Sequence, residues 1–137
     1  EMTRSGLTAT RLQGLGCETA CYLNRPEVAE RARASERTRS DLAMEQAVRD
    51  SQEALFVIGN APTALEALLD RVDSNEAAPG LIIGMPVGFV GASEAKERLE
   101  EQSAIPYITL RGRKGGSALA ASCLNALAEL LRQEGKD

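Results

Sequence analysis

The 137-residue sequence contains no histidine and no tryptophan, and only two tyrosines and two phenylalanines. Histidine is the side chain whose unperturbed pKa best suits proton transfer near neutral pH, so Ser-His-Asp and Cys-His catalytic systems are excluded within these residues. An acid or base among them would have to be Asp, Glu, Lys, Cys or Tyr. The shortage of aromatic rings argues against a base-stacking surface for single-stranded nucleic acid.

Long hydrophobic runs and an excess of basic residues are also lacking. No apolar run approaches the roughly 18 residues that cross a bilayer, and the first residues do not have the order of a signal peptide. The chain has 16 basic and 20 acidic residues, a net charge of -4, which gives no reason to expect a nucleic-acid surface. We therefore expect a cytoplasmic protein with no membrane or nucleic-acid partner.

Cysteine is scarce, and its spacing is uninformative for metal binding. Cys17, Cys21 and Cys123 are odd in number, with no Cys-x-x-C pair and no histidine nearby. This argues against both a disulfide framework and a zinc site. We expect no bound metal, and we interpret all three cysteines as small core residues, with Cys17 and Cys21 on one face of a strand.

Short apolar runs alternate with segments of helical period. The runs predict strands at 17–23, 54–59, 80–84 and 105–110, and the periodic segments predict helices at 26–34, 40–48, 63–72, 93–102 and 116–133. Such alternation is typical of an α/β domain with a mostly parallel sheet and helices on both faces. The length predicts a single domain over residues 1–137.

Glycines cluster after three of the predicted strands, where open parallel sheets bind ligands. They are Gly59, then Gly84, Gly88 and Gly91, then Gly112, Gly115 and Gly116. Glycine lets backbone approach a ligand closely, and helix N-termini offer free N–H groups, so an anion site is one interpretation. Ordinary turns between strand and helix are the other. A nucleotide site is weakly supported, because neither Gly-x-Gly-x-x-Gly nor Gly-Lys-Ser/Thr occurs.

Basic residues near predicted helix starts sharpen the anion hypothesis. "RGRKGGS" places Arg111, Arg113 and Lys114 just before the last helix. Guanidinium groups suit carboxylate or phosphate binding, although a solvated charge run is the alternative, and Ser117 could cap the helix.

Two further cations receive opposite interpretations. Arg39 lies at the start of a predicted helix, immediately before residue 40, where the helix dipole disfavours a cation. Either Asp41 offsets that cost, or Arg39 and the helix amides share an anionic ligand. Lys96 lies in a helix beside Glu97 and Glu100, and we expect it on the surface.

Three segments together resemble the precorrin-8X methylmutase family: "IGNAPTAL" (58–65), "IGMPVGFVGASEAK" (83–96) and "RGRKGGSALAASCLNAL" (111–127). The resemblance extends upstream through "TRS" to "EMTRSGL". It implies a flavodoxin-like or Rossmann-like fold, usually a homodimer. It also implies an enzyme of cobalamin biosynthesis, an isomerase that moves a methyl group from C-11 to C-12 of a tetrapyrrole without a redox cofactor. The substrate would be precorrin-8X or cobalt-precorrin-8, and the product hydrogenobyrinate or its cobalt counterpart.

By position in these motifs, the resemblance implies nine substrate-binding residues: Arg39, Asn60, Ala61, Thr63, Gly88, Phe89, Arg113, Gly116 and Ser117. Gly84, Gly88 and Gly91 would let backbone lie against the flat ring. The family's "AAESK" reads "ASEAK" here, so Ala95 replaces a serine. The family's proton-donating histidine, and a strand that would adjoin the sheet, precede residue 1, so no catalytic residue is assigned in this chain. The alternative is a tetrapyrrole-binding remnant or subunit that does not catalyse.

Overall fold

The structure is a computed structural model that describes residues 2–135. In chain order, the elements are α1 (Met2–Ser5), α2 (Ala9–Gly14), α3 (Pro26–Ala34), α4 (Arg39–Asp50), β1 (Leu55–Ile58), α5 (Pro62–Asp73), β2 (Leu81–Gly84), α6 (Ala92–Glu101), β3 (Tyr107–Thr109) and α7 (Ser117–Glu134). The predicted alternation of strand and helix is therefore confirmed from β1 onward.

The three strands form one parallel sheet in the order β1-β2-β3. Leu55 pairs with Leu81 and Ile58 with Gly84, while Ile83 pairs with Ile108. Consecutive parallel strands need a crossover, and α5 and α6 provide the two crossovers here. As a result, all three strands end at the same edge of the sheet, called the carboxyl edge below.

One face of the sheet is covered by α4, α5 and α6. Leu65 and Leu68 of α5 and Leu99 of α6 are fully buried against Phe56 and Ile82 of the sheet. Burying each large apolar side chain contributes about 1.5 to 3 kcal/mol. This cluster fixes the directions of the helices that begin at the carboxyl edge.

The other face is covered by α7 together with α1 and α2. Leu12 of α2 and Leu124 of α7 pack with Ile83 of the central strand. The side chain of Asn125 accepts from the Thr8 amide at 2.8 Å and donates to the Gly6 carbonyl at 2.9 Å. The first and last helices of the described chain thus form one layer, which confirms the prediction of helices on both faces.

The strand predicted at 17–23 is wrong, because this segment has no regular secondary structure. Its apolar residues are accommodated differently: Tyr22 and Leu23 pack against a small cluster of α3 and α4 that contains Val28 and Leu42. Cys17 is exposed, so its assignment to the core is also wrong, while Cys21 and Cys123 are half-buried. Helices α1 and α2 were not predicted.

The remaining predictions of elements agree with the structure to within one or two residues at most ends. The predicted helix at 26–34 coincides with α3, and the strands are shorter than predicted, ending at Ile58, Gly84 and Thr109. Within residues 2–135, no helix combines the length and apolarity needed to span a membrane.

Candidate functional site at the carboxyl edge

Backbone hydrogen bonds join the three loops that leave the carboxyl edge. The amide of Met85 donates to the carbonyl of Ile58 at 2.8 Å, and the amide of Gly116 donates to the carbonyl of Met85 at 2.9 Å. The amide of Val87 donates to the carbonyl of Asn60 at 3.4 Å. Asn60, the loop after β2 and the start of α7 are therefore parts of one surface.

Gly59 is the point where α1 and α7 close on the end of β1. A Cβ atom at residue 59 would lie 2.7 Å from the Cα of Ser117 and would also collide with Oγ1 of Thr3. This glycine is required for packing between elements. It places the "MTRS" helix beside the N-terminus of α7.

The N-terminus of α7 has neither a side-chain cap nor an acidic residue in its first turn. Gly116 is the N-cap, at a φ of 112° that favours glycine, and no side chain caps the helix. Ser117 is the first helical residue, so the alternative that it caps α7 does not apply. The first turn holds no acidic side chain, and neither does the first turn of α5, which follows Ala61 and includes Thr63. The first amides of a helix have no partner inside it and attract negative charge.

Arg113, in the loop after β3, contacts Phe89, in the loop after β2. The guanidinium carbon of Arg113 lies 5.0 Å from the centre of the Phe89 ring, a cation–π contact. Phe89 is 83% exposed and Val90 89% exposed. The loop that carries them follows Gly88 at a φ of 132° and ends in Gly91 at 82°. An apolar, solvent-facing surface thus stands beside a guanidinium group.

The neighbouring Arg111 is different, because it is already paired. Its Nε donates to both carboxylate oxygens of Glu100 at 3.1 Å. The hydrogen bonds that Arg111 donates to Glu100, together with the negative charge of that carboxylate, raise the pKa of Arg111. Among the described residues Arg113 and Lys114 have no carboxylate partner, so the predicted basic run contributes two unpaired cations rather than three.

Arg39 is the first residue of α4, as predicted, and its side chain is exposed. Thr38 caps this helix by accepting from the amide of Asp41 at 3.1 Å. The carboxylate of Asp41 binds Arg37 at 2.7 Å, so this ion pair is not with Arg39. No hydrogen bond or ion pair in residues 2–135 joins Arg39 to the other predicted site residues, which the structure brings together without it.

Lys96 is the residue that the sequence interpretation missed. The expectation of a surface position is wrong, because only 1% of Lys96 is exposed. Its Nζ donates to the carbonyl of Gly112 at 2.9 Å and also to that of Lys114. Burial lowers its pKa. A signal was present in the sequence: Ala92, Ala95, Lys96 and Leu99 have the spacing of the buried stripe of a helix.

Comparison with known proteins decides the family. The family model for precorrin-8X methylmutase (CbiC) matches residues 1–130. The chain belongs to the precorrin-8X methylmutase family. It is 45% identical over 128 residues to the precorrin-8X methylmutase of Pseudomonas aeruginosa, covering 93% of this chain and 61% of that protein. It is 41% identical over 130 residues to the cobalt-precorrin-8 methylmutase of Priestia megaterium, covering 95% of this chain and 57% of that protein.

A solved structure shows the same fold. The precorrin-8X methylmutase of Thermus thermophilus superposes with a TM-score of 0.89 at 41% identity, over 98% of this chain and 64% of that one. This chain therefore spans about three fifths of the length of these family members. The resemblance carried by the three sequence segments is confirmed.

Two positions of the family motifs face the core rather than the site. Ala95, the departure from the serine of "AAESK", is fully buried among α5, α6 and the sheet. A Cβ atom on Gly84 would lie 2.8 Å from a methyl carbon of Leu99. Gly84 thus has a role in packing against α6, while its close approach to a ligand stays a prediction.

Proposed function

We propose that the chain acts as a precorrin-8X methylmutase in cobalamin biosynthesis. The reaction would shift a methyl group from C-11 to C-12 of the tetrapyrrole, giving hydrogenobyrinate or its cobalt counterpart. Membership of the family supports this proposal. The observation that carries it is the unpaired Arg113 over the exposed Phe89 ring, at the acid-free N-terminus of α7.

The shape and charge of the substrate suit this surface. A tetrapyrrole is a broad, flat macrocycle with acetate and propionate groups at its rim, so its binding requires an apolar bed and several anion sites. Phe89 supplies apolar area, while Arg113 and the amides after Gly116 supply donors for carboxylates. The proposed binding residues are Arg39, Asn60, Ala61, Thr63, Gly88, Phe89, Arg113, Gly116 and Ser117.

For the rearrangement, the proposed role of these residues is positioning. The methyl shift needs no external nucleophile, so the protein contributes by holding the ring in a reactive geometry and by biasing its protonation. Donors fixed by backbone hydrogen bonds, such as the amides at the start of α7, cost little reorganisation when charge moves in the ring. We assign no proton donor among the 137 residues, which include no histidine.

Assembly and location extend the proposal. Leu119, Leu130 and Leu131 of α7 are 46%, 57% and 55% exposed, and apolar helix surface of this kind supports a homodimer. Sedimentation equilibrium measures the oligomeric state directly. A cytoplasmic location is supported by Cys17 and Cys123, neither of which is in a disulfide.

Conversion of substrate tests the proposal. The purified chain is incubated with precorrin-8X and, separately, with cobalt-precorrin-8, and the visible spectrum is followed. We expect the spectrum of hydrogenobyrinate or its cobalt counterpart to appear, and Arg113→Ala to slow its appearance at low substrate concentration. A spectral shift of binding without conversion would support the alternative, a tetrapyrrole-binding subunit. If the spectrum shows no binding and no conversion, the proposed function and the alternative are both contradicted.

A further inference from the structure

The six-residue loop Arg111–Gly116, called the basic loop below, is fixed to its neighbours at three points. Glu100 of α6 binds Arg111 at its start. The Gly116 amide donates to the carbonyl of Met85 at its end. Between them, Lys96 of α6 binds the carbonyls of Gly112 and Lys114. These two carbonyls flank Arg113 in sequence, so Lys96 holds the backbone on both sides of it.

Burying the Lys96 ammonium group at this position is unfavourable in free energy. A buried ammonium group loses its hydration, and within residues 2–135 it has no carboxylate partner to compensate. Ala92, Ala95 and Leu99 show that the same helix stripe accepts apolar residues. Methionine would fill the space without the loss of hydration. The distinctive contribution of lysine is therefore the pair of hydrogen bonds to the basic loop.

We propose that Lys96 is a positioning residue for the substrate site, acting through Arg113. This inference rests on the proposed function, because it takes the ligand of Arg113 to be a carboxylate of the tetrapyrrole. Lys96 keeps the basic loop in one conformation before the ligand arrives. Arg113 then binds without first having to order its own backbone, a cost that otherwise weakens binding.

Limited proteolysis tests the first half of the inference without any ligand. The basic loop offers trypsin three cleavage sites, after Arg111, Arg113 and Lys114. We expect Lys96→Met to raise the rate of cleavage there at least about tenfold, because the loss of even one charge-assisted hydrogen bond corresponds to about that factor. Arg98→Met is the matched control, because it also removes a cation from α6. Arg98 binds Asp70 and Asp73 rather than the basic loop. Equal cleavage in both variants and the wild type overturns the inference.

The Lys96→Met protein must be folded for this comparison, which circular dichroism and the melting temperature establish. If it does not fold, Lys96→Gln is measured in its place, because glutamine keeps a donor and loses the charge. We expect its cleavage rate to lie above that of the wild type. If trypsin cleaves the basic loop of Lys96→Gln no faster than that of the wild type, the inference is contradicted.

A double-mutant cycle tests the second half, with hydrogenobyrinate as the probe and its dissociation constant as the measurement. We expect Lys96→Met to weaken binding about tenfold in the wild-type background but less than twofold when Arg113 is already alanine. Equal losses in both backgrounds show that Lys96 does not act through Arg113. If the wild type itself does not bind hydrogenobyrinate, the proposed function fails, whereas proteolysis still decides whether Lys96 holds the loop.

Discussion

Charge pairing divides the arginines of this chain into two groups. Arg31, Arg37 and Arg49 converge on the single carboxylate of Glu45. Arg39 and Arg113, in contrast, have no carboxylate partner among residues 2–135. The two arginines that the family motifs assign to the substrate therefore belong to the unpaired group. An exposed guanidinium without a partner is available to an anion of the ligand.

Replacing Arg39 tests its assignment to the substrate, because no hydrogen bond or ion pair within residues 2–135 connects Arg39 to the other proposed site residues. We expect Arg39→Ala to weaken hydrogenobyrinate binding about tenfold, through the loss of a charge-assisted hydrogen bond. Arg33→Ala is the control, because Arg33 is also exposed and has no ion pair with the described residues. Titrations followed by absorbance measure both. Equal dissociation constants for the two variants would remove Arg39 from the site.

Glu45 predicts how stability depends on pH. Burial alone would raise its pKa, but hydrogen bonds from Arg37 and Arg31 outweigh burial and lower it below 4.5. A carboxyl group whose pKa is lowered in the folded state stabilises the protein at pH values above its unfolded-state pKa. That stability is lost as the pH falls through the folded-state pKa. We expect Glu45→Gln to be about 1 kcal/mol less stable at neutral pH, a modest loss because the arginines are solvent-exposed.

Urea unfolding at several pH values measures this difference. The gap between wild type and Glu45→Gln should narrow as the pH falls below 4.5. A gap that stays constant down to the acid limit of folding would show that the arginines do not stabilise the charged form of Glu45.

At the same scale, two residues show why burial is hard to predict from sequence. The acidic neighbours Glu97 and Glu100 predict a surface position for Lys96, yet it lies on the buried stripe of α6. The apolar run at 17–23 predicts a core position for Cys17, yet it is exposed. In both cases burial depends on how the segment packs in the fold, which its neighbours in sequence do not specify.

Whole elements were predicted more reliably than individual side chains. Helix α3 begins at Pro26, a residue well suited to the first turn, and its bounds were predicted without error. The strand at 17–23 failed because a strand requires a neighbouring strand for its hydrogen bonds, which a local pattern cannot show. Here Tyr22 and Leu23 bury their side chains against α3 and α4 instead. The candidate site could be predicted where glycines and cations follow strands, but its hydrogen bonds could not.

The junction of α1, β1 and α7 predicts the effect of a glycine substitution. A Cβ atom at residue 59 would meet Thr3 and the backbone of Ser117, so we expect Gly59→Ala to destabilise the protein by about 1 to 3 kcal/mol. Gly14→Ala is the control, since a Cβ there would have no neighbour within 4 Å. Its stability should change by no more than about 1 kcal/mol. Urea unfolding measures both, and equal stabilities would contradict the close packing at this junction.

For the molecule as a whole, the layer formed by the first and last helices supports a single folding unit, which we propose for residues 1–137. Asn125 connects α7 to residues near the N-terminus, and α7 packs on both β1 and β2. We expect far-UV circular dichroism and tyrosine fluorescence to report one coincident transition in urea, since Tyr22 and Tyr107 lie in different parts of the fold. Two separate transitions would show that the chain is divided.

We propose that the carboxyl edge of the sheet binds a tetrapyrrole through the carboxylates at the rim of the ring. Amide chemical-shift mapping by NMR during titration with hydrogenobyrinate tests it most directly. We expect the largest shifts at Asn60, Gly88, Phe89, Gly116 and Ser117. Shifts concentrated elsewhere, for example around the cavity lined by Arg4, Leu12 and Cys17, or no shifts at saturating ligand, would contradict it.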